Sequence, residues 1–131
     1  VVLSVLLLIL LGIFEYGRIV MLRQLMDNAV HEGARLAIVG TAAQPPITAQ
    51  DIADTVNGCL AGQSLQNVSI QVYQADPVTG ANIGSWELTP YGGAIAVRMD
   101  VDYAPILPTT LGIVPNPLHF SAQSMMLSEA N

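Results

Sequence analysis

Few residues in this chain are equipped for chemistry, and two of them sit where charge is costly. In VVLSVLLLILLGIFEYGRIVMLRQ, the carboxylate of Glu15 and the guanidinium of Arg18 are set into a run otherwise broken only by Ser4 and Gly12 before position 15. Three apart on a helix, they are neighbours able to pair. Each charge deep in hydrocarbon would cost about 2.5–3.5 kcal/mol, whereas each leucine-type residue gains about 0.3–0.6 kcal/mol. The pair therefore belongs near an interface or against a partner in protein. The other candidates are thinner. Asp100 and Asp102 project from one side of a strand pattern and could share a hard cation; the bland alternative is a solvated acidic face that guards an edge against pairing. His31 and His119 have no third ligand at metal spacing. No GxSxG, HExxH, CxxC or glycine-rich phosphate loop occurs. No catalytic, cofactor-binding or metal site is expected, so the chain reads as non-enzymatic. Cys59 is the only cysteine, which excludes an intrachain disulfide. Its place in DTVNGCLAG, on an amphipathic helix pattern, suits a small buried hydrophobe, with an intersubunit or reactive thiol as the alternative. Asn67-Val68-Ser69 is a formal glycosylation sequon at a strand start.

The elements that must position these groups follow from composition and periodicity. At 131 residues the chain supports one modest core. Its 52% hydrophobic and 11% charged residues reflect mainly the first two dozen positions. Arg18, Arg23 and Arg35 balance Glu15, Asp27 and Glu32, while after Gly40 Arg98 alone faces seven acids, so the net −6 belongs to the later part. There is no lysine anywhere. Phosphate backbones demand clustered cations, so direct nucleic-acid binding is not expected; an acidic surface suits a domain kept soluble outside a cell.

Residues 1–14 as a helix reach ~21 Å, short of the ~30 Å hydrocarbon layer, and residues 1–22 reach ~33 Å. Spanning a bilayer alone would thus carry Glu15 and Arg18 into it. The helix continues beyond: Met21, Leu22, Leu25, Met26, Ala29, Val30, Gly33, Leu36 and Ala37 recur at spacings of three and four, with Arg23, Asp27, His31 and Arg35 on the other side. Gly40 and then Pro45-Pro46 close it. A single helix of about 39 residues results, ~58 Å long, its second half suited to lie on a folded domain. After TAAQPP, Thr48 is an N-cap candidate for a short helix with Ile52, Val56, Cys59 and Leu60 on one face, ended by Gly62. The period then changes to two. Val68, Ile70 and Val72 alternate with Ser69, Gln71 and Tyr73; Ile95, Val97, Met99, Val101 and Tyr103 alternate with Ala96, Arg98, Asp100 and Asp102; and Leu118, Phe120, Ala122 and Met126 share one side of a third pattern. SWEL suggests an edge strand, and PILPTTLGIVPNP a proline-punctuated crossover loop. The expected fold class is α+β. Residues 1–40 form a long N-terminal helix, and residues 41–131 a small head with a short helix and a three- to four-stranded antiparallel sheet, one face covered by helix and the other wet.

Three uses of the opening segment compete. A cleaved signal peptide needs a small-x-small site after the apolar run, and EYGRIV supplies none. A plain signal anchor explains the apolar run but neither the amphipathic continuation nor the charged pair. A polymerising helix explains all three, because identical helices provide an apolar surround and a polar partner for Glu15 or Arg18. Ser4, Gly12 and Gly17 would permit close helix approach. The candidate subunit-packing residues are Leu3, Leu7, Leu10, Gly12, Phe14, Glu15, Tyr16, Gly17, Arg18, Met21, Leu22 and Leu25. The same helix could rest in a bilayer before assembly, since lipid and a leucine-lined bundle are similarly apolar.

The stretch LLLILLGIFEYGRIVMLRQLMDNAVHEGARLAIVG resembles the N-terminal signature of TadE-like proteins, the pseudopilins of tight-adherence (Flp-type) pilus systems. There an apolar run ends in Gly-x-x-Glu-aromatic-Gly-Arg, and the following helix ends in Glu-Gly-Ala-Arg. Gly12, Glu15, Tyr16, Gly17, Arg18, Glu32, Gly33, Ala34 and Arg35 match that pattern. Further on, YAPILP is similar to the family's Tyr-x-Pro-x-x-Pro crossover. The resemblance implies a type IV pilin-like structural subunit, held in the inner membrane as a prepilin and processed by a dedicated peptidase. It would then assemble through its N-terminal helix with identical or related pilin subunits into an extracellular filament or pilus tip that supports adhesion. One departure stands out: pilins of this class usually carry a glutamate at the fifth mature position, where this chain has Val5. That glutamate and a basic leader are expected upstream of Val1, and the leader would set the orientation that the visible arginines do not. Major and minor subunit are equally consistent with the helix. The alternative from a different class is a membrane-anchored extracytoplasmic binding module with the helix as a simple tether.

Overall fold

The computed structural model describes residues 1–40, 45–61, 65–105 and 118–128. Helix α1 (Val2–Gly40) is one element of 39 residues. It stops at Gly40, whose carbonyl accepts the Ile47 amide at 3.3 Å. A Cβ at Gly40 would come within 3.1 Å of the Ile47 Cβ, so a larger residue there would have to push the returning chain aside. Helix α2 (Ala49–Cys59) begins in a reciprocal capping box. The Asp51 amide donates to Thr48 Oγ1 at 3.3 Å, and the Thr48 amide donates to Asp51 Oδ2 at 2.8 Å, which satisfies two amides that a helix start leaves unpaired.

Four strands follow: β1 (Leu65–Ala75), β2 (Asn82–Gly84), β3 (Ala94–Tyr103) and β4 (Leu118–Leu127). They form one antiparallel sheet in the order β2-β1-β3-β4. The fold is α+β, with the long helix, short helix and antiparallel sheet expected from the periodicities. The alternation in β3 aims Ile95, Val97, Met99 and Val101 at the helices, and all four are completely buried. Against them α1 sets Leu22, Met26, Ala29, Val30, Gly33 and Ala37, spaced by three and four as one helical face requires. Helix α2 lies beside α1 and contributes Ile52 and Val56. Gly33 makes that approach possible: a Cβ there would sit 2.7 Å from Val56 Cγ2 and 3.5 Å from Ile52 Cγ2.

Several expectations are corrected. Cys59 is exposed, because the buried stripe of α2 runs through Ile52, Val56 and Leu60 at intervals of four, leaving Cys59 one position off it. The SWEL segment is a 3-10 turn (Trp86–Leu88), not a strand. Trp86 has to turn inward to pack over Gly40, its Cζ3 3.5 Å from the Cβ position there, and the edge strand is instead Asn82–Gly84. The outer sheet face is not uniformly wet. Tyr73, Ala75, Ala94 and Ala96 form a second small buried cluster, crossed by the β1-β2 hairpin, whose Gly80 carbonyl accepts from Tyr73 Oη at 3.3 Å and Gln123 Nε2 at 3.1 Å. Alanines let the hairpin lie that close. Strands β3 and β4 are antiparallel neighbours; the proline-punctuated crossover loop expected between them, from residue 106 onward, like the expected helix stop at Gly62, lies outside the described residues. Finally, β1 breaks its register between Gln66 and Ser69. Asn67 there takes φ +51°, a bulge that turns Val68 outward against the simple alternation.

Candidate assembly surface and the junction below the head

Residues 1–14 project beyond the sheet. All are exposed except the half-buried Gly12, and no side of this stretch is polar apart from Ser4. A helix apolar all round is stable only when something apolar covers it. An 18-residue window of α1 has a mean hydropathy of 2.2 with 11% of it buried in the fold, so the helix is long and apolar enough to cross a membrane. Of the candidate packing residues, Leu3, Leu7, Leu10, Phe14, Tyr16, Gly17 and Met21 are exposed on this stalk. Leu22, at 2% exposure, belongs to the chain's own core, and Leu25 packs against that core. A neighbouring chain could reach Leu22 only by unpacking the head.

The charged pair is brought to the head itself. Glu15 is only 3% exposed and its Oε1 accepts the Tyr103 hydroxyl at 2.8 Å. The Arg18 guanidinium carbon lies 5.6 Å from the centroid of the same tyrosine ring, in cation-π range. Phe120 flanks the ring at 6.3 Å and 55°. Tyr103 ends β3 on its inward face, so the strand alternation that fills the core also delivers a hydroxyl to the stalk. Burial, and then the Glu15 hydrogen bond and charge, raise the phenol above its ordinary pKa of 10.0. Sequence reading placed Tyr103 in the core but did not pair it with Glu15. The available signal was a hydroxyl-bearing aromatic closing an otherwise aliphatic inward row, beside a lone carboxylate in an apolar helix.

The outer face near the same end of the sheet carries a polar network. His119 Nδ1 lies 2.9 Å from Asp102 Oδ1 and its Nε2 lies 3.5 Å from Asp100 Oδ1. Arg98 Nε donates to Asp100 Oδ2 at 3.2 Å, and Asn67 Nδ2 donates to Asp102 Oδ2 at 2.8 Å. Hydrogen bonds from Asn67 and His119 hold the Asp102 carboxyl below its usual range. The hydrogen bond to Asp102 raises His119, with the two aspartate charges adding to it. Asp100 and Asp102 thus spend their oxygens on side chains of the protein, and among the described residues no group of three His, Cys, Asp or Glu is placed to hold a metal. His31 is exposed on α1, its Nδ1 3.5 Å from Ser124 Oγ of β4.

The extent of the bare stalk, and the way its charged motif meets the head, frame the comparison with known families. Residues 1–35 match the family model of TadE-like proteins. The match takes in the stalk, Glu15, Arg18 and the Glu32-Gly33-Ala34-Arg35 segment, and ends before α2 and the sheet. No curated protein and no solved structure matches the chain. Within the TadE-like stretch, Gly33 and Ala34 have a visible task, since both are buried where α1 is packed by the head. Gly17 has nothing within 4 Å of its Cβ position in this chain.

Proposed function

We propose that this chain is a structural pilin-like subunit that polymerises through its N-terminal helix into an extracellular filament or pilus tip, supporting surface attachment. The observation that carries this reading is the stalk: fourteen residues, almost wholly exposed and apolar, fixed to a small acidic head by the remainder of the same helix. The match of residues 1–35 to the family model of TadE-like proteins supports it. Before assembly the stalk lies in the membrane, where lipid covers the same side chains that sibling helices cover later. Ser4, Gly12 and Gly17 allow close helix contact in the bundle. Leu7→Asp and Leu10→Asp test this, because neither residue belongs to the core cluster of the head. Electron microscopy of purified material should show filaments for the wild type and none for either variant, with the head's circular dichroism unchanged. Filaments that persist in both variants would remove the proposal.

A simple membrane tether has one observation in its favour. The stalk is apolar on all sides, which suits lipid as well as it suits a bundle. Exchange of residues 1–14 for an unrelated apolar helix separates the two readings. A tether keeps surface attachment after the exchange, and a polymerising stalk loses it.

A further inference from the structure

The hydrogen bond between Glu15 and Tyr103 joins residues 88 positions apart, and both side chains are buried where stalk and head meet, at 3% and 4% exposure. We propose that Glu15 and Tyr103 form an intrachain latch, clamped from outside by Arg18, that locks the head onto the stalk; the stalk's acidic group serves its own head, not a neighbouring subunit. This goes beyond polymerisation and stands whether the stalk ends in a bundle or in lipid.

The case rests on what the rest of the head-helix contact lacks. Above the junction, α1 meets the sheet through Leu22, Met26, Val30 and the alanines, and apolar burial is non-directional. Such a face gives adhesion without a strict register. A phenol donating to a carboxylate is directional and about twice as strong as a bond between neutral groups. It sits at the lower end of the contact, where a small rotation of the head about the helix would separate the two groups. Arg18, stacked on the ring 5.6 Å from its centroid, holds the phenol from the side facing the stalk. The same arrangement lets the junction approach the edge of a hydrocarbon layer without a bare carboxylate, whose desolvation would otherwise be costly.

A double-mutant cycle on the full chain in detergent micelles, with urea unfolding of the head as the readout, tests the latch. Tyr103→Phe removes the hydroxyl that donates to the buried Glu15 carboxylate, and Glu15→Leu removes the acceptor of the buried Tyr103 phenol. Each single variant should lower the folding constant by roughly tenfold. The double variant should be no less stable than the worse single, because the two losses are one interaction. Losses that multiply to roughly a hundredfold, or two silent single variants, would overturn the latch. So would a coupling that grows with the number of chains per micelle, since that marks a contact between subunits. Should a variant unfold too early for the cycle, phenol titration by ultraviolet absorbance replaces it. The tyrosine missing from Tyr103→Phe should titrate at lower pH in Glu15→Leu than in the wild type, and an unmoved titration overturns the proposal.

Discussion

Residues 2–14 and residues 22–38 of α1 share one continuous helical backbone, and apolar side chains fill most of the first stretch and much of the second. The first stretch is exposed almost throughout, while the second buries Leu22, Met26, Ala29, Val30, Gly33, Ala34, Ala37 and Ile38 and turns Arg23, Asp27, His31 and Arg35 outward. What separates the two is the arrangement of apolar residues and not their number. With no polar side, the stalk cannot distinguish one covering from another; with one polar side, the second stretch has one face to lay on the sheet. Glu15 marks the change, and there the helix passes from an exposed surface to one that packs on its own chain.

The sharpest break in this comparison comes from shortening one leucine in each half. Leu22→Ala removes a side chain 2% exposed in the core and should cost the head about 2–5 kcal/mol in urea unfolding. Leu7→Ala should leave that unfolding within about 0.5 kcal/mol of the wild type, because its side chain belongs to no core cluster. Equal losses in the two variants would mean that the stalk packs on the head and that the two halves do not differ.

Two glycines sharpen it further. At Gly33 an added Cβ meets Val56 Cγ2 at 2.7 Å, and a β-branched side chain between two helices has little room to yield, so Gly33→Ala should cost about 1–3 kcal/mol. At Gly17 nothing lies within 4 Å, and Gly17→Ala should be neutral or should stabilise the isolated chain by up to about 1 kcal/mol through helix propensity. Loss of filaments in Gly17→Ala, with a head at least as stable as before, would locate Gly17 in helix-helix contact between subunits.

These contrasts also show what was legible beforehand. The 39-residue helix, the N-cap at Thr48, and the inward rows of β3 and β4 could be read from spacing because each follows a local rule. The Trp86 turn and the folded-over hairpin could not, since each depends on what a single side chain meets from a distant part of the chain; the exposure of Cys59 is local, one position off the Ile52-Val56-Leu60 stripe. The bulge at Asn67 has a similar cause: one inserted residue turns Val68 outward, and alternation alone carries no sign of it. At the junction the sequence singled out Glu15 and Arg18 as charges in need of a partner, expected there from a sibling helix. The partner, Tyr103, lies 88 residues away, and only the assembled register of β3 brings it there.

A smaller effect isolates the head from the helix. Thr48 Oγ1 accepts the Asp51 amide, and the Thr48 amide and hydroxyl donate to the Asp51 carboxylate in return, so Thr48→Ala should cost about 1 kcal/mol, read in the same urea experiment. The loss should appear in head unfolding and leave filament formation untouched. A filament defect in this variant would mean that the head's second helix takes part in assembly.

The weakest effect is set by pH, and it should act on one region only. Residues 1–14 contain no titratable side chain, whereas the head carries His119 between Asp100 and Asp102 on its outer face. His119 is raised above its ordinary value of 6.5, first by the Asp102 hydrogen bond. Its contribution is therefore complete below about 6.5 and is lost as pH rises through the raised value. Asp102 and Asp100 are held below 3.8, Asp102 chiefly by the Asn67 hydrogen bond and Asp100 by Arg98 against an opposing effect of burial. Their contributions are complete above that value and are lost as pH falls through the lowered ones. Stability from this cluster is consequently greatest between the ordinary values of the aspartates and the histidine. Melting temperatures of wild type and His119→Gln, measured from pH 4 to pH 9, should converge toward the alkaline end and separate in the acidic middle. The separation should be small, because the imidazole is 63% exposed and solvent screens the pair. Curves that stay parallel across the whole range would show that the network does not bind the proton more tightly in the folded head than in the unfolded chain.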